Sequence, residues 1–70
     1  MPEGLSNRLR ELRAELGLTQ AELAEKVGVS RKTINTVENG IFVPSTVLAL
    51  KLARALGRSV EAIFSLDGME

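Results

Sequence analysis

Between residues 30 and 36 the chain reads Ser-Arg-Lys-Thr-Ile-Asn-Thr, and the polar members Ser30, Arg31, Lys32, Thr33, Asn35 and Thr36 precede any acid, the first being Glu38. These groups suit recognition of a nucleic acid. An arginine can donate two hydrogen bonds to guanine, an asparagine can exchange a pair with adenine, and a threonine methyl can meet that of thymine. Lysine and the hydroxyls suit phosphate oxygens, which fix position without reading sequence. The plainer reading of the same residues is a solvated helix face. Bond-making chemistry has little to draw on, because the chain has no histidine, cysteine or tyrosine and no glycine-rich phosphate loop. The expectation is therefore a binding protein, not an enzyme, with no cofactor and no metal site.

Helices must position that face. Gly17, Gly28, Gly40 and Gly57 each follow a stretch of helical periodicity and mark helix ends. Leu5, Leu9, Leu12 and Leu16 recur at spacings of four, three and four, which predicts one amphipathic helix starting near Ser6. Thr19-Gln20-Ala21-Glu22 is a capping box, and it opens a second helix running to about Val27. Ser30 is placed to cap a third, with Ile34 and Val37 on its inner side. Ser45, after Pro44, caps a fourth with Ala49, Leu52, Ala53 and Leu56 on one face. Ser59 opens a short fifth, with Val60, Ile63 and Phe64 facing inward. No segment alternates as a half-buried strand does, so the expectation is all-α: five helices and no sheet. Met1 to Gly4 and Gly68 to Glu70 are expected to fray.

The corner between the second and third helices has specific requirements. Gln20, Ala24, Gly28, Ile34 and Val37 occupy positions one, five, nine, fifteen and eighteen of an eighteen-residue unit. Ala24 is small where the third helix must cross over the second. Gly28 can take the positive φ of a tight reversal, and Leu23, Val27, Ile34 and Val37 seal the joint. This is a helix-turn-helix.

The stretch LRELRAELGLTQAELAEKVGVSRKTINTVENG, followed by PS, a leucine-rich helix and LG before a short final helix, resembles the Cro/C1-type helix-turn-helix family of phage repressors and bacterial regulators. The resemblance covers nearly the whole chain, and LTQxELAxxxGVSxxTIxxxENG is a specific pattern. It implies a lambda-repressor-like five-helix domain that binds double-stranded operator DNA, usually as a homodimer, and regulates transcription. It places Ser30 to Thr36 on the recognition helix in the major groove. It carries Gln20 over as a phosphate contact, where an ordinary first-turn residue would read the same, and likewise Asn39, where a turn-forming asparagine would. Arg13 and Glu38 match a pair that ties the first helix to the third. Many relatives have a cation directly after ENG, but this chain has Ile41-Phe42-Val43. Those residues either fold back on the fourth helix or form an interface. Ile41, Phe42 and Leu66 are the expected dimer surface.

Seventy residues make one domain, expected over 1–70 with its core at about 5–66. Nine cations balance nine acids, so no global field draws DNA in and local charge must do so. A core this small rarely supplies more than about 3–5 kcal/mol, which a homodimer would supplement. No apolar run suits a membrane helix or a signal peptide, which leads to the expectation of a cytoplasmic protein with no membrane contact and no small-molecule effector. The competing reading is a helix-turn-helix module, or an antitoxin-type protein, that binds a protein partner.

Overall fold

The computed structural model describes residues 4–67, arranged as β1 (Leu5–Asn7), α1 (Leu9–Glu15), α2 (Gln20–Val27), α3 (Arg31–Glu38), α4 (Thr46–Leu56), α5 (Val60–Ile63) and β2 (Phe64–Leu66). The five helices lie where the sequence predicts them, with one exception at the start. The first helix begins at Leu9, not near Ser6, because the Asn7 side chain ends the preceding segment: its Oδ1 accepts from the Leu9 N–H at 3.0 Å, while its Nδ2 donates to the Val37 carbonyl at 2.9 Å. One asparagine thus holds the turn that leads into α1 and ties it to α3.

The expectation of no sheet is corrected as well. β1 and β2 pair antiparallel, Leu5 opposite Leu66 and Asn7 opposite Phe64, and the ladder is continued by Arg8 N–H to Ile63 O at 2.8 Å and Asp67 N–H to Gly4 O at 2.9 Å. Ser6 Oγ also donates to Asp67 Oδ1. Three residues per strand are too few to show a period of two, so the pairing left no pattern in the sequence. Gly4, expected to fray, is held in the ladder; the fraying expected at Met1 to Glu3 and Gly68 to Glu70 lies outside the described residues.

Four helices start on a hydroxyl. Thr19, Ser30, Ser45 and Ser59 each accept the N–H three residues on, and Glu22 returns the bond to Thr19, completing the box. Each such cap satisfies an orphan donor, and its loss costs about 1 kcal/mol. One core unites Leu9, Leu12, Leu23, Ala24, Val27, Ile34, Val37, Leu48, Leu52, Leu56, Ile63 and Phe64. Ala49, Ala53 and Val60 pack at its margin, and Leu48 joins it from α4 in their place. Leu16, expected on the apolar face of the first helix, is the exposed residue that ends α1. Leu5 is half-buried in β1, and Phe64 reaches the core from β2 instead of the last helix.

Candidate nucleic-acid interface

Ala24 and Gly28 set the geometry of the corner. Ala24 is 3% exposed, a small residue in the core where α2 packs against α3. Gly28 has φ 76°, ending α2 in the left-handed region, and after Val29 and Ser30 the next helix begins. Ile34 and Val37 are buried on the inner side of α3, while Ser30, Arg31, Lys32 and Asn35 are exposed and Thr33 and Thr36 half-buried. The structure therefore gathers the polar residues of 30–36 on the outer side of one helix. Ser30 Oγ and Thr33 Oγ1 lie 3.0 Å apart, and Thr36 Oγ1 donates to the Thr33 carbonyl, so part of the hydroxyl capacity serves the helix itself. Arg31, Lys32 and Asn35 line a shallow recess on this face. The first turn of α3 carries no acid, so its positive end faces outward without a competing carboxylate.

Behind that face sits a polar network centred on Glu38. Its carboxylate, fully buried, accepts from Arg13 Nε at 2.6 Å and Arg13 Nη2 at 3.3 Å, from Arg10 Nε at 3.3 Å and from Gln20 Nε2 at 3.0 Å. Arg13 also donates to the Leu18 carbonyl at 2.7 Å, so the guanidinium fastens α1 to both the α1–α2 connection and α3. Burial pushes the Glu38 carboxyl up, but the hydrogen bonds from Arg13 and Gln20, the charge of Arg13 and the bond from Arg10 together hold it below the usual carboxylate range. Two guanidinium charges against one carboxylate leave the cluster with a net formal charge of +1, and Arg10 presents its share to solvent.

The network also binds the side chains read from the sequence as phosphate contacts. Gln20 is half-buried, and its Nε2 donates to Asn35 Oδ1 at 3.2 Å as well as to Glu38. Asn39 Nδ2 donates to Asn35 Oδ1 at 3.2 Å, and Asn39 Oδ1 accepts from Arg10 Nη2 at 2.8 Å. Gln20, Asn35 and Asn39 are thus one unit with Arg13 and Glu38. Arg10 belongs to that unit too, although nothing in the sequence singled it out. Its spacing of three from Arg13 on an amphipathic helix is the signal that places both on the side facing α3.

Past α3 the chain exposes apolar residues. Ile41, Phe42 and Val43 are 76%, 47% and 69% exposed, so they do not fold back into the core. Phe42, Val43, Leu5 and Leu66 line one recess that begins at Val37 and Gly40, at the end of α3, and a second recess carries the apolar surface on to Leu50 of α4. The structure brings Phe42 and Leu66 together there. Ile41, expected with them, is not among the residues lining either recess.

A helix-turn-helix profile matches residues 9–63. An uncharacterized HTH-type transcriptional regulator of Methanothermobacter thermautotrophicus is 60% identical over 60 residues, spanning 84% of this chain and 87% of its own. The uncharacterized HTH-type transcriptional regulator YgzD of Bacillus subtilis is 43% identical over 63 residues, 90% of this chain and 96% of its own. Among solved structures, the restriction-modification controller protein C.AhdI from Aeromonas hydrophila superposes with a TM-score of 0.75 at 44% identity, covering 79% of this chain and 83% of that one. SinR, a master regulator for biofilm formation solved in complex with DNA, superposes with a TM-score of 0.72 at 33% identity, covering 77% and 87%.

Proposed function

Because the chain belongs to the Cro/C1-type helix-turn-helix family of transcriptional regulators, we propose that it is a repressor that binds an inverted-repeat operator as a homodimer, with α3 in the major groove. The single observation that carries this reading is the outer face of α3, where Arg31, Lys32 and Asn35 stand exposed over an acid-free first turn. In the proposed complex Arg31 reads a base and Lys32 meets phosphate. Ser30, Thr33 and Thr36 contribute hydroxyls and methyls, and Gln20 and Asn39 flank the groove together with Arg10. The arginine excess around Glu38 supplies the local positive charge that the neutral chain lacks overall. The domain is proposed to span 1–70 with no small-molecule effector, and its place is the cytoplasm, where operator DNA lies. No helix among the described residues is long and apolar enough to cross a membrane.

Dimerisation follows from energetics. One small unit makes few phosphate and base contacts, so its binding would be weak and strongly salt-dependent. Two units on a two-fold axis set their recognition helices in successive major grooves about 34 Å apart. The apolar recess of Phe42, Val43, Leu5 and Leu66 is the proposed joining surface, and it starts where α3 ends. The protein-interaction reading draws on the same exposed residues, and a complex of SinR with SinI is among the structures similar to this chain.

Selection of bound fragments from a random duplex library tests the proposal. Enrichment of an inverted repeat with half-site centres about 10 base pairs apart is expected. Absence of any enriched sequence from folded protein would overturn it in favour of a protein partner. Sedimentation at tens of micromolar should show a dimer, and Phe42→Lys should shift it toward monomer with every residue of α3 unchanged. A wild-type monomer with and without palindromic DNA rejects the dimer. A dimer that persists in the variant rejects only this surface.

A further inference from the structure

The network fixes which way each amide faces, and that decides what Asn35 can read. Glu38 can only accept hydrogen bonds and Arg10 can only donate them. Gln20 must therefore turn its NH2 toward the carboxylate, 3.0 Å away, and the same NH2 meets Asn35 at 3.2 Å. Asn39 must turn its oxygen toward Arg10, 2.8 Å away, which leaves its own NH2 facing Asn35 at 3.2 Å. Two donors thus converge on Asn35 from two residues, each oriented by a charge of a single polarity. Asn35 answers with its oxygen, whose two lone pairs are then filled, and its NH2 is the group left for solvent. Reversing Asn35 alone would set NH2 against NH2 twice.

From this we infer that Asn35 is a donor-only reader that selects guanine, and that it does not make the two-bond exchange with adenine which a free asparagine makes. The inference rests on the DNA-binding reading above. Adenine recognition needs an acceptor for the N6 amino group and a donor for N7, and the acceptor of Asn35 is taken. Guanine offers O6 and N7, two adjacent acceptors, to whatever enters the major groove, whereas thymine offers O4 alone beside its methyl group. The other two side chains of the recess, Arg31 and Lys32, also carry donors only. Arg31 lies four residues before Asn35, one turn away on the same helix face, so the two address neighbouring base pairs. The recess as a whole therefore matches consecutive guanines and repels the exposed amino groups of adenine and cytosine. Gln20, Glu38, Asn39 and Arg10 act as positioning residues in this scheme.

The library selection, repeated with Asn35→Ala and Asn35→Asp, tests it, with thermal melts to confirm that each variant is folded. The base pair whose preference Asn35→Ala relaxes should be guanine in the wild-type motif, favoured over adenine by at least about fivefold. Asn35→Asp keeps an oxygen turned inward and replaces the outward NH2 with a second oxygen, so its preference should move from guanine to cytosine at that position alone. Adenine or thymine at that pair in the wild-type motif would overturn the inference, as would an Asn35→Asp variant that still selects guanine. If the wild type enriches a motif and neither substitution relaxes any pair, Asn35 reads no base and the inference falls while DNA binding stands. If the wild type enriches nothing, DNA binding itself falls.

Discussion

Glu38→Gln is the smallest change that interrogates the centre of this domain, since it alters charge and one atom but hardly any volume. Every group facing the carboxylate is a donor: two nitrogens of Arg13, one of Arg10 and one of Gln20. A glutamine amide must therefore set its NH2 against a donor whichever way it turns. The contacts differ in weight. Arg10 is 61% exposed, so its share is that of a surface pair, about 1 kcal/mol or less. Arg13 is only 15% exposed at 2.6 Å, and breaking a buried pair by removing one partner costs about 3–5 kcal/mol. A loss of about 2–4 kcal/mol is expected, most of what a core of this size supplies.

Urea melts followed by circular dichroism would measure it, and pH supplies an internal control. The folded-state pKa of Glu38 is lowered below the unfolded value of about 4.3. Its contribution is therefore complete above that value and is lost as pH falls through the folded value. Wild type and variant should differ most at neutral pH and converge in acid, where wild-type Glu38 is protonated as well. A variant within about 0.5 kcal/mol of wild type at pH 7 would refute the reasoning. So would a difference that fails to narrow on acidification.

Three further outcomes are expected. Ala24→Leu should overpack the α2–α3 crossing and cost about 1–3 kcal/mol, and an unchanged melting temperature would show that the helices have room there. Asn7→Ala should cost about 1 kcal/mol in a urea melt, because it leaves the Leu9 N–H without its side-chain acceptor and takes from the Val37 carbonyl one of two donors, the other being the Gly40 N–H. Arg31→Ala should lower operator affinity by about 1–3 kcal/mol and relax one base pair, whereas Lys32→Ala should weaken all sequences alike and reduce the salt slope by roughly one. A sequence-selective loss for Lys32→Ala in titrations at several salt concentrations would exchange the two roles.

What the sequence disclosed and what it concealed divide by range. The caps at Thr19, Ser30, Ser45 and Ser59 act on an N–H three residues away, so each is written in a four-residue window. The α2–α3 corner spans eighteen residues and is legible because its sizes are prescribed at fixed spacing. Asn7 escaped notice because one of its two partners lies 30 residues away on α3, and Arg10 because Glu38 and Asn39 lie 28 and 29 residues away. The direction of the Asn35 amide was beyond reach for the same reason. An asparagine on a polar face looks free until the neighbours that fix its oxygen are placed in space.

The β1–β2 ladder has a bearing on how the domain forms and comes apart. Its rungs join Leu5 to Leu66, and the Ser6–Asp67 side-chain bond beside them spans 61 positions of chain, whereas α2 and α3 meet across one short turn. Closing so long a loop early carries an entropic cost that a handful of strand bonds does not return until the helices have already drawn its ends together. The ladder is thus expected to close after the rate-limiting step. Substitutions that weaken it, such as Leu66→Gly, should leave the refolding rate nearly unchanged and accelerate unfolding, because their effect falls on the native state and not on the transition state. The persistence of the folded protein over time is then governed in part by a pairing of two three-residue strands that lies away from the proposed operator contacts.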